Sequence, residues 1–201
     1  MSGAEPQRSF IEQARRAQIV DAAVETIAEK GFAKASLAQI AERAGVSKGV
    51  ISYHFAGKDE LIELVVTQVY ERIGAYVQPR LAEQQAEGGW LRAYIQSVAA
   101  YMQGHPTQLA ALAEIFHNFR TGDGSPHYGI ASGEPLFAAL EQAFREGQER
   151  GEFRAFDARV MAVSLQSGID AMFAYWSAYP EHDLAAHARE LADLFEHATR
   201  A

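Results

Sequence analysis

Residues 36–61 read SLAQIAERAGVSKGVISYHFAGKDEL, and this stretch contains two short helical segments separated by a tight turn. Ser36 stands at an N-cap position, and Gln39 follows it at the spacing of a capping box. Gly45 ends the first segment and tolerates the positive φ that a tight turn needs, and Ser47 caps the second segment at once. This arrangement predicts a helix-turn-helix, whose second helix would enter the major groove of DNA.

The chain on both sides of this motif has helical periodicity almost everywhere, and no segment alternates apolar and polar residues as a half-buried strand would. Helices are predicted at about 10–30, 59–80, 90–103, 106–120, 134–150, 157–178 and 183–199. A single long loop, at 121–133, is predicted between them. The predicted fold is therefore all-α, with about nine helices.

We predict two domains in this chain. An N-terminal three-helix domain spans residues 10–70 and carries the helix-turn-helix motif at about 35–54. A C-terminal helical bundle spans residues 71–201. The 201 residues and 48% hydrophobic content suffice for one sizeable core, or for a small module joined to a larger one.

The composition excludes several classes of protein. There is no cysteine, so disulfides and thiolate metal sites are excluded. No run of eighteen apolar residues exists, so no membrane span is expected. The N-terminal residues lack the apolar segment of a secretory signal, so we expect a cytoplasmic protein.

The charge of the chain is distributed unevenly between its two parts. The whole chain has a net charge of -8, while residues 1–60 carry eight basic and eight acidic side chains. All four lysines lie in those first 60 residues. Only the first part could therefore tolerate a polyanion such as DNA.

The motif from Ser36 to Leu61, preceded by EKGF at 29–32, resembles the tetracycline-repressor-like (TetR) family of regulators. The resemblance covers the first 65–70 residues, and the remainder is similar only in being all-helical. It implies a homodimeric repressor that binds double-stranded DNA and is released by a small-molecule effector. In this family the C-terminal domain binds the effector, and its last two helices carry the dimer interface. One departure is Ser52, where the family commonly has an aromatic residue, so the operator sequence cannot be transferred from relatives.

The resemblance and the residue chemistry together assign the DNA contacts. Ser36 and Ser47 start helices, where free N–H groups and the helix dipole favour a phosphate, although both can serve as caps alone. The predicted phosphate donors are Lys48, Tyr53, His54 and Lys58, with Arg15 or Arg16 reaching a flanking phosphate. The residues predicted to face bases are Gly49, Val50 and Ser52. The ordinary alternatives are a core role for Tyr53 and a plain surface role for His54.

Gly49 is the least expected residue of the second helix, because glycine inside a helix costs roughly 1 kcal/mol relative to alanine. It stands two residues after the cap, in the helical turn that would face DNA. With no Cβ, the backbone there could approach the duplex closely. We therefore predict that Gly49 serves docking rather than folding.

Residues 90–178 are rich in aromatic side chains and methionine, which form either a helical core or the wall of a ligand pocket. The predicted ligand-binding residues are Tyr101, Met102, Phe116, His117, Phe119, Phe137, Gln166, Asp170, Phe173 and Trp176. A buried Asp170 would need a partner or a cationic ligand. The predicted dimer interface residues are Met161, Leu165, Leu184, Leu191, Leu194 and Phe195. The pattern leaves open which face is pocket and which is interface.

Three other patterns suggest chemistry that we do not predict. GVSKG at 45–49 fits a hydrolase nucleophile elbow, which needs a strand before the serine, whereas a helix precedes Ser47. Glu114 and His117 form a single E-x-x-H, and di-iron sites need two such pairs. His182, His187 and His197 share a predicted helical hairpin, where a solvated or interface face is the simpler interpretation.

We therefore predict no catalytic residue, no metal and no cofactor. The alternatives are a DNA-binding regulator without a ligand, and a helical-bundle metalloenzyme. The sequence alone specifies neither the operator, the effector and the regulated genes nor whether the protein represses or activates.

Overall fold

The computed structural model describes residues 4–84 and 89–201, and within these ranges it contains nine α-helices. They are α1 (Ala4–Lys30), α2 (Leu37–Arg43), α3 (Lys48–His54), α4 (Lys58–Gln84), α5 (Trp90–Gly104), α6 (Pro106–Asn118), α7 (Glu134–Glu149), α8 (Ala158–Ala178) and α9 (Leu184–Thr199). A short 3-10 helix, Ile130–Gly133, precedes α7. None of the described helices combines the length and apolar character needed to cross a bilayer.

The structure confirms the all-α fold, since the described residues form only two isolated β-bridges besides helices. Aspartates cap the last two helices: the Asp157 carboxylate accepts the N–H groups of Arg159 and Val160, and Asp183 accepts that of Ala186. Two boundaries were predicted wrongly. Helix α1 begins at Ala4 rather than near residue 10. Helix α4 continues through Pro79 to Gln84, although proline removes one backbone donor there.

The chain divides into two compact units. The first contains the residues up to Glu71 together with Pro106–His127, and the second contains Arg72–His105 and Tyr128–Ala201. The predicted C-terminal domain of residues 71–201 thus differs from the second unit, because α6 and the turn after it belong to the first. The assignment of DNA binding to one domain and ligand binding to the other stays a prediction.

In the first unit, α1 packs against α2 and α6. Phe32, which follows α1, joins these elements: its N–H donates to the Glu114 carboxylate over 2.9 Å. Its ring lies 5.5 Å from that of Phe119, between ring centroids. The first unit is therefore completed by a segment that is distant in sequence. Its fully buried side chains include Ile19, Ile27, Ile40, Ile51, Leu61 and Ile115.

In the second unit, α5 packs against α9, α7 against α8, and α8 against α9. An aromatic cluster forms part of its core, with Phe144 fully buried against Trp90 at 5.2 Å and Phe156 at 5.6 Å between ring centroids. The Arg92 guanidinium on α5 binds two carboxylates of α9, those of Asp193 and Glu196. Burial of aromatic surface stabilises the bundle, and the partly exposed ion pairs of Arg92 add little to it.

Candidate nucleic-acid interface

The turn between α2 and α3 has the geometry that the sequence predicted. Gly45 adopts φ +65°, in the left-handed region where a side chain would be strained. The Gly45 N–H donates to the Glu42 carbonyl at 3.1 Å, and the Val46 N–H donates to the Ala41 carbonyl at 3.0 Å. These bonds satisfy the last carbonyl groups of α2 and direct the chain straight into α3.

Both predicted caps are formed. The Ser36 hydroxyl accepts the N–H of Gln39 at 3.3 Å, and the Gln39 side chain accepts the N–H of Ser36 at 3.1 Å, which completes a capping box. The Ser47 hydroxyl accepts the N–H of Val50 at 3.3 Å, but Val50 cannot reciprocate. The first two N–H groups of α3, those of Lys48 and Gly49, have no acceptor within the helix. They are therefore available to a phosphate.

The predicted base-facing and phosphate-facing residues of α3 differ in exposure. Lys48, Gly49 and Ser52 are exposed, and Val50 is half-buried. Tyr53 is 76% exposed, so it has no core role in the described structure. The Ser52 hydroxyl donates to the Lys48 carbonyl at 3.2 Å, and a base contact would have to compete with that bond.

Gly49 does not occupy a sterically restricted position. A Cβ built there would meet nothing closer than the Ser47 hydroxyl at 3.6 Å, which is ordinary van der Waals contact. Gly49 also has no positive φ. The fold of the protomer therefore does not require glycine at this position, and another side chain would give a better helix.

Lys58 is directed into the first unit rather than toward solvent. Its ammonium donates to the Phe32 carbonyl at 2.7 Å and lies 4.3 Å from the centroid of the Phe32 ring. Burial lowers the pKa of Lys58 below its ordinary value, and the charge of Asp59 partly opposes that shift. These contacts favour a structural role, and phosphate binding by Lys58 stays an untested prediction.

Arg16 also differs from the sequence expectation. Its guanidinium donates to the His54 carbonyl at the end of α3, lies 4.5 Å from the centroid of the Phe55 ring, and pairs with Glu60 at 3.7 Å. Glu60 in turn accepts the N–H of Ala56 at 2.6 Å. Arg16 therefore fixes the C-terminal end of α3 between α1 and α4. No sequence spacing connects residues 38 positions apart, so this contact could not be found from the pattern.

The remaining interface residues are half-buried or exposed beside these contacts. His54 is half-buried, and its ring lies edge-on to that of Tyr53 with centroids 5.0 Å apart. Arg15, also half-buried, donates to the Gln18 side chain at 2.8 Å. Sequence reasoning thus located the exposed face of α3 but not the side chains that hold it in place.

The predicted ligand-binding residues do not all lie in one unit. Phe116, His117 and Phe119 belong to the first unit, and the other seven belong to the second. His117 is exposed, while the Glu114 carboxylate accepts both the Phe32 N–H and the Asn118 amide, so Glu114 has a structural role. In the second unit Tyr101, Met102, Phe137 and Phe173 are buried, whereas Gln166 and Trp176 are half-buried.

Asp170 is exposed, so the expectation of a buried carboxylate that needs a cationic ligand is not met. It accepts a hydrogen bond from the Gln166 amide at 2.8 Å, and Tyr94 donates to the same Gln166 at 3.1 Å. Neighbouring atoms partly desolvate the carboxyl, and this raises the pKa of Asp170. The hydrogen bond from Gln166 opposes that shift. The exposure of the residue limits the energetic consequence of this shift.

The predicted dimer residues fall into two groups. Leu165, Leu184 and Phe195 are buried inside the protomer and belong to its own core. Met161 and Leu191 are half-buried, and Leu194 is 61% exposed. Only the second group can contact another chain without a rearrangement.

The protein surface has two grooves beside the helices described above. One, of about 540 Å³, lies along α1 and α2 beside Gln18, Asp21 and Arg43. The other, of about 430 Å³, lies along α9 beside Leu191 and Leu194. Neither is lined by a residue of the predicted ligand site.

The fold and the exposed face of α3 define an all-α protein of the helix-turn-helix class. Residues 19–65 match the family model described as bacterial regulatory proteins, tetR family. The regulator BetI of Cronobacter sakazakii is 31% identical over 163 residues, which cover 79% of this chain and 77% of that protein. The chain belongs to the tetR family.

Three further comparisons, one of sequence and two of structure, cover different shares of the chain. The regulator BetI 1 of Chromohalobacter salexigens is 46% identical over 69 residues, and the match covers 34% of each protein. The solved structure of FadR from Bacillus halodurans, a fatty acid degradation regulator, has a TM-score of 0.75 at 23% identity, covering 90% of this chain and 94% of FadR. SmeT, the repressor of a Stenotrophomonas maltophilia efflux pump, has a TM-score of 0.76 at 21% identity, covering 92% of this chain and 90% of SmeT. The structural matches support the fold alone, and because the BetI relatives are named transcriptional regulators, we assign the chain no enzymatic activity.

Proposed function

We propose that this protein is a homodimeric transcriptional repressor that binds a near-palindromic operator and is released by a small molecule. The observation that carries the proposal is the exposed first turn of α3, where Gly49 leaves open space above free backbone N–H groups. Tyr53 and Lys48 extend this surface toward solvent. Family membership and the names of the BetI relatives support the same function.

The geometry of α3 suits one half-site of DNA. Its seven residues form a helix about 10 Å long, which fits within the width of the major groove. Lys48 and the N-terminal N–H groups would bind phosphates, while Val50 and Ser52 would contact base edges. Two such helices related by two-fold symmetry require half-sites separated by one helical turn of DNA, about 34–36 Å, or a multiple of it.

We place the dimer contact on the outward faces of α8 and α9. An uncharged, exposed stripe runs along α8 with helical spacing: Val160, Ser164, Ser167, Ala171, Ala174 and Ala178. Leu194 and Leu191 lie along the groove on α9. Small side chains let two helices approach closely, and the exposed leucine supplies apolar area to bury. Met161, which is half-buried, would contribute at the edge.

Relatives by fold support an effector for the second unit. SmeT has been solved with triclosan, and FadR from Bacillus subtilis with stearoyl-CoA. In this chain an effector would have to displace buried side chains, because Phe137 and Phe173 belong to the core of the described protomer. A ligand that prefers such a repacked conformer would shift the population away from the DNA-binding one.

The filled core favours a second candidate, a DNA-binding regulator without a small-molecule ligand. Tyr101 and Met102 are as buried as ordinary core residues, and Tyr101 already stacks on His105 at 4.1 Å between ring centroids. Ligand-induced loss of operator binding, sought by screening small molecules against the protein–DNA complex, decides between the two. A screen in which no molecule weakens the complex favours the regulator without a ligand.

The function is tested by selecting bound sequences from a random DNA pool with the full-length protein. We expect enrichment of an inverted repeat, bound by two protomers and weakened by added salt. Failure to enrich any sequence would contradict the proposal.

The dimer contact has its own test. Sedimentation of Leu194→Glu should show monomers at concentrations where the parent protein is dimeric, with Glu190→Gln on the same groove as a control.

A further inference from the structure

The connection between α8 and α9 brings two histidine rings together. His182 Nε2 and His187 Nδ1 lie 3.0 Å apart, and the ring planes are at 89° to each other. The backbone fixes both residues: the His182 N–H donates to the Tyr179 carbonyl at 2.9 Å, and the His187 N–H donates to the Asp183 carbonyl at 3.0 Å. The two nitrogens are therefore held close together by a hydrogen-bonded turn, which carries His182, and by the first turn of α9, which carries His187.

Imidazole nitrogens bind divalent transition metals at about 2.0–2.1 Å. Two nitrogens that are 3.0 Å apart and bound to one ion at that distance subtend an angle of about 94° at the ion. This is the angle between neighbouring positions of an octahedral or square-planar ion, the geometries preferred by Ni²⁺ and Cu²⁺. We propose that His182 and His187 together bind one divalent transition-metal ion.

The surroundings of the pair are compatible with such an ion. Tyr175 lies edge-on to His182 with centroids 4.9 Å apart and forms one wall beside the pair. The Asp183 carboxylate is occupied by the N–H of Ala186 at 2.8 Å, so it serves as a cap rather than a ligand. Glu190, one helical turn after His187, lines the same α9 groove and brings negative charge nearby.

Two protein ligands make this a site with open positions. The described part of the chain holds no group of three or more histidine, aspartate or glutamate side chains arranged for one metal. Water would therefore complete the coordination.

The competing interpretation is a simple hydrogen bond that closes the α8–α9 turn. In that case one ring donates its N–H to the other nitrogen, and no ion is needed. The two interpretations differ in an observable. A metal needs the unprotonated nitrogen of each ring, so the shared hydrogen must move to the other nitrogen of its own ring, and metal binding weakens as pH falls.

The test uses the untagged full-length protein and calorimetric titration with Ni²⁺, repeated with Zn²⁺. His182→Gln and His187→Gln should each weaken binding by at least about tenfold. His197→Gln is the matched control, because His197 lines the same groove but its Nδ1 is held by the carbonyl of Asp193 at 2.7 Å. It should bind Ni²⁺ as the parent does. Circular dichroism checks that all variants remain helical.

Lowering the pH from about 7.5 to 5.5 should weaken Ni²⁺ binding by at least about tenfold, because protons compete with the metal for imidazole nitrogens. Absence of Ni²⁺ and Zn²⁺ binding by the parent protein would overturn the proposal and leave a hydrogen-bonded pair. Unchanged affinity in either single variant, or equal loss in His197→Gln, would overturn it as well. Sedimentation of the two histidine variants separates loss of metal from loss of the dimer, because His187 lines the same groove as Leu191 and Leu194.

Discussion

Helices α2 and α3 are neighbours of equal length, seven residues each, and both begin at a serine cap. They differ in how the rest of the chain holds them. Helix α2 has a reciprocal capping box and buries Ile40 and Ala41, whereas α3 has a single cap bond and buries only Ile51. The comparison teaches that α2 is built for stability, while α3 gives up local stability to expose its first turn.

The two helices also end differently. Gln18 on α1 donates to the Ala44 carbonyl at 2.7 Å, and Arg43 pairs with Glu25 and Glu29 on the same helix α1. The end of α3 is held by Arg16, through the His54 carbonyl. Helix α3 is thus anchored at its C-terminal end and open at its N-terminal end, which is the orientation expected of a helix that inserts that end into DNA.

Gly49→Leu should produce the largest effect. We expect operator affinity to fall by roughly 30- to 100-fold, about 2–3 kcal/mol, because a branched side chain would separate the helix from the groove. The free energy of unfolding should stay constant or rise by up to about 1 kcal/mol, since glycine is the poorer helix former. Fluorescence anisotropy with operator DNA and urea denaturation measure the two quantities.

Ala38→Leu is the matched variant, because Ala38 is the second residue of α2 and is also exposed. It should weaken operator binding much less than Gly49→Leu does. If Gly49→Leu lost stability and affinity in parallel, glycine would be needed for folding and the contrast between the helices would disappear.

Arg16→Ala should lower the free energy of unfolding by about 1–3 kcal/mol, the cost of removing a charged donor from a carbonyl and a ring, and should weaken operator binding because α3 is no longer held in place. As a positioning residue, Arg16 should leave the dependence of affinity on salt concentration unchanged. A phosphate contact would instead reduce the slope of log affinity against log salt by about 1. Titrations at several salt concentrations distinguish the two roles, with Arg15→Ala as the control.

Ser36→Ala and Ser47→Ala should each lower the free energy of unfolding by about 0.5–2 kcal/mol. The loss should be greater for Ser36, because its hydroxyl both accepts the Gln39 N–H and donates to the Gln39 side chain at 3.4 Å, whereas the Ser47 hydroxyl only accepts the Val50 N–H. Ser47→Ala should lose operator affinity beyond what its stability loss explains. Equal stability losses would remove the first difference between α2 and α3.

Lys48→Ala should have the smallest effect, a reduction of the salt slope by about 1 with uniform weakening across DNA sequences. Lys58→Ala should leave the slope unchanged and lower thermal stability, because its ammonium is bonded to the Phe32 carbonyl. A reduced salt slope in Lys58→Ala would instead indicate that Lys58 contacts a phosphate.

Much of the fold was predictable because helix ends have local causes. Ser36, Ser47 and Asp183 act through neighbours two to three residues away, so their roles can be read from spacing. The apolar residues of α9 were predictable too, but which of them face the core and which face solvent was not. Phe195 faces the core and Leu194 faces solvent, and the chain's own packing decides which residue faces which way.

The candidate site was predictable only in its exposed half. Capped helix starts and the unexpected Gly49 pointed to a surface that is exposed in the structure. The partners of Arg16 and Lys58 lie far away in sequence, at positions 54 and 32, and are chosen by tertiary contact. Long basic side chains can reach either solvent or a nearby carbonyl, and periodicity does not distinguish these outcomes.

The discontinuity of the first unit has a practical consequence for dissecting the protein. A fragment cut after residue 70 would lose α6, and with it the Glu114 carboxylate on Phe32 and the buried Ile115. Chimeras that exchange recognition modules between relatives would break the same contacts unless residues 106–127 travel with the N-terminal segment. The smallest transferable module of this protein is therefore two pieces of chain, not one.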